Sequence, residues 1–370
     1  MPEHQQLQDH HTPIAGFLFI GDPHVWSRKP GRRTDPDFLS TVLGKIGQAA
    51  TIANERNLLA VFLGDLLHMD DDEDTRMLIG LTRTLQQFNH VPVTLVGNHD
   101  KDELNLSERN PLLLLGVTGQ IELMDRNAPF RRFALDTQNG PQTAVLGGTP
   151  YGFPIPHSLA PFTGIDLPED THPREEHRQI HQTMDADWIV WISHHDLAFA
   201  NAHPHAEILH EILGADIHVN GHMHGTEIPV NTGLTTHYNP GNITRMSVDM
   251  DQHRPAVWAW TPESQARDIH GNAIPRLECI ELEHRPFWDV FDHEGRHSAA
   301  PGKTTKTHTQ NPVKSEFAQS LLGRRGQQTD DGSGLAETIA MVLQQHPVEE
   351  PIRTRIAELA DRAIRDLEKA

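Results

Sequence analysis

The chain has 370 residues, a formal net charge of −20 and a single cysteine, Cys279. That length allows one large domain with an appendage, the lone cysteine excludes an internal disulfide framework and fits a reducing compartment, and the acidic balance disfavours long-range attraction to nucleic acid. No stretch approaches the roughly 20 apolar residues of a membrane span and the polar N-terminus lacks an apolar signal region, so a cytoplasmic protein without membrane contact is expected.

In chain order, residues 1–13, with His4, His10 and His11, are expected to form a mobile N-terminus. Gly16–Ile20 then reads as a buried strand and stops at Gly21-Asp22-Pro23-His24. A basic stretch, Arg28 to Arg33, is followed by a helical pattern through Phe38, Val42, Leu43, Ile46 and Ile52. A second apolar run, Leu58–Leu63, leads to Gly64-Asp65-Leu66-Leu67-His68 and then to the acidic run Asp70 to Asp74, read as a solvated helix start where carboxylates favour the N-terminal dipole. A third run, Val91–Val96, leads to Gly97-Asn98-His99-Asp100. A helix over Pro111–Val117, strands near Ile121–Met124, Arg131–Leu135 and Thr143–Gly147, and a helix over Arg174–Met184 fill the excursion that follows, with a proline- and histidine-rich surface segment at 152–173. Trp188–Ser193 leads to His194-His195, and Ala215–Asn220 leads to Gly221-His222-Met223-His224. Strands at Ala256–Trp260 and Arg276–Leu282 close the domain.

Beyond residue 292 the composition shifts. Residues 293–334 are polar and read as a linker. Residues 335–370 read as a helical segment whose last helix carries Ile352, Ile356, Leu359, Ala363, Ile364 and Leu367 mostly on one stripe. That stripe must bury itself on the protein's own core, on a second copy or on a partner.

The five apolar runs share one feature: each ends at a residue able to hold a metal. Runs of that length, rich in β-branched and aromatic residues, read as buried strands, and ligands of an open α/β sheet gather where strands end. In extended backbone residues two apart point the same way, so Asp22 with His24, and His222 with His224, can each serve one cluster. Carboxylate, amide oxygen and neutral imidazole suit Mn²⁺, Fe²⁺ or Zn²⁺ and lack the thiolates of many structural zinc sites. A single histidine after a strand carries little weight in a chain with 27 of them; the ordered set carries much more. His203, His205 and His210 lack ligand spacing at a strand end and receive no role.

The blocks D-x-H, G-D, G-N-H-D, H and G-H-x-H, all in order between residues 16 and 245, resemble those of calcineurin-like metallophosphoesterases. The resemblance implies a four-layer αββα sandwich in the α/β class, here with a C-terminal helical appendage. It implies two divalent metal ions, with Mn²⁺ expected first: Asp22, His24, Asp65 and His224 at one, Asn98, His194 and His222 at the other, and Asp65 bridging. His194 is preferred over His195 because it directly follows the strand. His99 would be the catalytic histidine, oriented by Asp100, and the implied reaction is phosphoester hydrolysis by a hydroxide activated by two ions roughly 3.5–4 Å apart.

Within that superfamily the Arg28–Arg33 stretch, Gly64-Asp65-Leu66-Leu67-His68 and Tyr238–Arg245 are similar to nuclease subunits of the SbcD type. This implies a phosphodiester substrate, with DNA a candidate contacted by Arg28, Arg32 and Arg33, and a coiled-coil ATPase partner or homodimer through the C-terminal helices. The alternative is a phosphatase or phosphodiesterase acting on small molecules such as nucleotides, which the acidic surface favours; the minor alternative is a non-catalytic scaffold.

Overall fold

The structure is a computed structural model and describes residues 8–292 apart from 70, 71, 73, 126–129, 169, 201–205 and 268–272. The chain separates into a unit spanning Met1–His297 and a unit spanning Ser298–Ala370. The expected linker at 293–334 and the C-terminal helices lie outside the described residues, as do His4, Asp70, Asp71, Glu73, His203 and His205.

The first unit is built on two large sheets. One has six strands: β2 (Gly16–Ile20), β3 (Leu58–Phe62), β4 (Val93–Leu95) and β5 (Glu122–Met124) run parallel, and β12 (Ala256–Trp260) and β15 (Glu278–Glu281) add antiparallel beyond β2. The other has seven, in the order β1 (Gln8–Ile14), β6 (Phe130–Leu135), β7 (Gln142–Thr149), β8 (Trp188–Ser193), β9 (Ile217–Asn220), β11 (Thr235–Tyr238) and β10 (Val230–Thr232). Strands β7, β8, β9 and β11 are mutually parallel.

Side-chain alternation explains the layers. Phe17, Phe19, Leu59, Val61, Val93 and Leu95 face inward to meet Leu146, Val190, Ile192, Ile217 and Val219 of the other sheet. The intervening Leu18, Ile20, Ala60 and Phe62 point outward, against Val42, Ile46 and Ala49 of helix α1 (Phe38–Glu55) and Met77 and Leu81 of α2 (Thr75–Leu85). On the far side Val145, Ile189 and Trp191 pack on Leu159, Ile180 and Met184, the last two from α5 (Pro173–Met184). Both faces of each sheet are thus covered, which is why the central strands read as continuous apolar runs. The architecture is the expected four-layer α/β sandwich, and each fully buried aliphatic or aromatic side chain in it contributes about 1.5–3 kcal/mol.

Asp37 caps α1 by accepting from the Ser40 amide, and Asp74 caps α2 by accepting from Arg76 and Met77, so the described end of the acidic run does start a helix. The N-terminus departs from expectation: residues 8–13 are an edge strand paired with β6, not a mobile tail. Cross-strand chemistry holds it there, since His10 stacks on Phe133 and Asp9 accepts from Arg132. Such pairs are invisible before the register is known.

Candidate active site

The ends of β2, β3 and β4 on one sheet and of β8 and β9 on the other open on the same side, and the residues following them converge. Nε2 of His24 lies 2.9 Å from Nε2 of His224. Nε2 of His194 lies 3.2 Å from Oδ2 of Asp65 and 3.1 Å from Oδ1 of Asn98, which is itself 2.9 Å from Nδ1 of His222. Asp22, His24 and His224 form one group of converging ligand atoms, and Asp65, His194 and His222 another. Asp65 stands between them, its Oδ2 also 3.7 Å from His24 Nε2. All seven residues expected to hold metal are therefore brought together.

The backbone is bent hard to do this. Asp22, His24, Asp65 and His222 adopt positive φ values of 32°, 48°, 49° and 67°. Non-glycine residues there cost of order 1–3 kcal/mol each and persist where the surroundings impose them, commonly at functional sites. At Gly97 the reason for glycine is steric: a Cβ would sit 2.1 Å from Asp65 Oδ1. At Gly64, with φ of +106°, a Cβ would sit 2.3 Å from Nδ1 of His194.

The donor set fits divalent cations. Asp22 is fully buried, yet neither carboxyl oxygen meets the geometry of a hydrogen bond, and burial pushes its carboxyl up to about 7. A buried carboxylate with only the His222 amide and the His194 ring near it to favour its charge is costly unless a further charge compensates it. Two imidazole nitrogens 2.9 Å apart can share at most one proton. Burial lowers His222 and His224 to about 4, so both are neutral, as ligands must be. Burial also works against charge on His194, but Asp65 and Asp22 outweigh it and raise the ring to about 9. Its Nδ1 donates to the Leu63 carbonyl at 2.8 Å, which aims Nε2 at Asp65 and Asn98. His195 turns away, with Nε2 on the Phe153 carbonyl at 2.7 Å.

His99 borders the cleft over this cluster. Its backbone N–H donates to Asp65 Oδ1 at 2.8 Å, and its Nδ1–H donates to the His68 carbonyl at 2.7 Å. Two corrections follow. Asp100 does not orient the His99 ring; its carboxylate accepts from the amides of Gly97 (2.9 Å) and Leu67 (3.0 Å), tying the loops after β4 and β3 together. The basic arm does not reach the site either. Arg33 is buried, paired through Nε and Nη2 with Asp35 and sandwiched by Phe38 and Phe291. Arg32 donates to the Asp292 carbonyl, Arg28 is exposed, and none of the three lines the cleft.

Two neighbours were not foreseen. His68 stacks on His99 at 5.2 Å and 13°, and crosses His24 edge-on. The Tyr151 ring approaches His222 and His194 at 5.6 and 6.3 Å. His68 follows Asp65 by three residues, the one available signal; Tyr151 gave none.

Residues 16–226 match the family model described as calcineurin-like phosphoesterase. The chain belongs to the calcineurin-like phosphoesterase family. The ions of that family are divalent metals. No curated protein matches this phosphoesterase. Among solved structures it is similar to a putative 5'-nucleotidase from Staphylococcus aureus, with 15% identity over 75% of this chain and 56% of that one and a TM-score of 0.39. It is also similar to a Haemophilus influenzae NAD nucleotidase, with 12% identity, 72% and 53% coverage and a TM-score of 0.36. A 5'-nucleotidase precursor from Thermus thermophilus aligns at 11% identity, 72% and 54% coverage and a TM-score of 0.38. The phosphoesterase spans about half the length of these structures. Among the described residues, no helix is long and apolar enough to cross a membrane.

Proposed function

We propose that this phosphoesterase hydrolyses small phosphoesters of nucleotide size, with Asp22, His24, Asp65 and His224 holding one divalent cation, Asn98, His194 and His222 a second, and Asp65 shared. The observation that carries the choice of substrate is the charge of the cleft. It encloses about 920 Å³ above Asp65 and His99, and its walls carry Asp196, Glu227, Asp249 and Asp251 against one arginine, Arg254. Polynucleotide backbones are bound mainly by Lys and Arg, and a rim of carboxylates repels a long polyanion. A small ester needs compensation only at its reacting phosphate.

Bound at the two clusters, the ions would supply Lewis-acid charge for phosphoryl oxygens and lower the pKa of water toward neutrality; the mixed oxygen and imidazole set suits Mn²⁺ or Fe²⁺ as well as Zn²⁺. The chain's residues supply orientation and proton handling. With Nδ1–H committed to the His68 carbonyl, the exchangeable proton of His99 resides on Nε2, where a protonated ring donates to the departing oxygen. The reaction would occur in the compartment the cysteine content suggested, the cytoplasm.

The test is activity with Mn²⁺ on p-nitrophenyl phosphate, bis-(p-nitrophenyl) phosphate, a panel of nucleotides and linear DNA side by side. Hydrolysis of the small esters with intact DNA is expected. Degradation of DNA without nucleotide hydrolysis would overturn the reading in favour of a nuclease.

A further inference from the structure

A second set of ligating side chains lies away from the catalytic cleft. His177 and His181 stand one turn apart on α5 and so share a face. Both approach Asp216, which precedes β9: Nε2 of His177 is 3.4 Å from Oδ1, and Nε2 of His181 is 3.4 Å from Oδ2. The three offer ligand atoms converging on one point. This cluster sits where β8 and β9 begin, while His194 and His222 follow their other ends, roughly 15 Å away at the rise of a β-strand.

Asp216 and His181 are held by backbone groups. Asp216 Oδ2 accepts from the Ile189 amide at 2.7 Å, and its backbone is tied to Ile189 and Thr236. Nδ1 of His181 lies 3.1 Å from the Ala186 carbonyl. A carbonyl has no proton to give, so Nδ1 carries the hydrogen, and in the neutral ring Nε2 is a bare lone pair. That Nε2 is buried without a hydrogen-bond partner, and what it faces is a carboxylate oxygen. With the ring neutral, two acceptors stand opposed at 3.4 Å, an arrangement that a shared metal cation relieves. The spacing admits an ion: one ligand atom from each of the three residues lies within 4.8 Å of the others, and ligands at about 2.0–2.1 Å around a tetrahedral ion stand about 3.3–3.4 Å apart. A backbone carbonyl that fixes the far nitrogen is also the common support of a metal-bound histidine.

We infer that His177, His181 and Asp216 form a binding site for a Zn²⁺-class divalent ion, separate from the catalytic pair, that staples α5 to the start of β8 and β9. Two imidazoles and a carboxylate favour Zn²⁺, Co²⁺ or Ni²⁺ over Mg²⁺ or Ca²⁺, and the remaining positions are filled by water. The three side chains are partly exposed, at 18, 14 and 18%, so the ion has a route in.

The experiment loads metal-stripped full-length protein with Zn²⁺, removes free ion and measures Zn²⁺ per chain for the wild type, His181→Gln, Asp216→Asn and Asp65→Asn. Asn at 216 keeps an oxygen for the Ile189 amide, and Mn²⁺-supported hydrolysis together with circular dichroism verifies that the first two variants remain folded. The expected result is one equivalent fewer in His181→Gln and Asp216→Asn, with the Zn²⁺-induced rise in melting temperature reduced, while Asp65→Asn retains that equivalent. Retention in Asp65→Asn separates this site from the catalytic ligands. Equal Zn²⁺ content in the wild type and the two site variants would overturn it, as would an NMR titration showing His181 charged against Asp216 and unmoved by Zn²⁺.

Discussion

The Nδ1–H of His99 points at the backbone carbonyl of His68, 2.7 Å away. A main-chain group thus sets the ring that borders the cleft, and the adjacent Asp100 acts one step removed, on the loops.

Replacing His99 by Ala should keep the metals and lower kcat by about 10²–10⁴-fold, the usual contribution of a general acid. His68→Ala leaves the carbonyl in place and removes only the stacked ring, so kcat should fall about tenfold or less. Metal content and steady-state kinetics on p-nitrophenyl phosphate read both. A fall of equal size in the two variants would assign the proton to His68 instead.

Asp65 stands between the two ligand groups and also accepts the His99 amide. Asp65→Asn should lower occupancy at both catalytic positions at once and abolish turnover, whereas Asn98→Ala should weaken chiefly the second. Elemental analysis after Mn²⁺ loading distinguishes them. Retention of both catalytic ions by the Asp65 variant would remove the bridge.

Arg33 belongs to the scaffold, by its burial and its bonds to Asp35 and the Arg245 carbonyl. Arg33→Ala leaves Asp35 buried without its partner, a change that typically costs about 3–5 kcal/mol. Chemical denaturation should show that loss while KM stays unchanged for protein kept folded. A raised KM with unchanged stability would restore the substrate-binding role.

Lys45 is buried on α1, donating to the Glu283 carbonyl at 3.1 Å. Burial first, then the nearby Arg245 and Arg33, depress its amine to about 8 from 10.5. The unfolded chain therefore binds more protons than the folded one between those values, and this group's contribution to stability rises as pH climbs from 8 to 10.5 and is lost as pH falls through 8. Lys45→Met should flatten that rise and stabilise the protein at pH 7 by about 1–3 kcal/mol. Denaturant midpoints at pH 7, 8.5 and 10 follow it; identical pH slopes in the two proteins would count against the assignment.

Particular residues show what could be read early. The strands ending at Asp22, Asp65, Asn98, His194 and His222 were legible because burial on both sheet faces forces apolar runs, and the polar residue that interrupts each run stands out. Helix α3, Pro111–Val117, was legible from its proline start. The edge strand at Gln8–Ile14 was not, because its partners Arg131 to Leu135 lie over a hundred residues away. Nor was the cluster of His177, His181 and Asp216, whose helix and strand meet only in the fold.

By itself the sequence determined the buried strands and the chemical types gathered at their ends, since apolar runs and ligand identity are properties of local residue order, and its ordered blocks carried the resemblance that implied the sandwich. Only the tertiary structure decided that Arg33 serves the core, that a carbonyl of His68 holds His99, and that carboxylates rim the cleft. Those outcomes depend on which distant segments meet, and the electrostatics of a site follow from its neighbours in space.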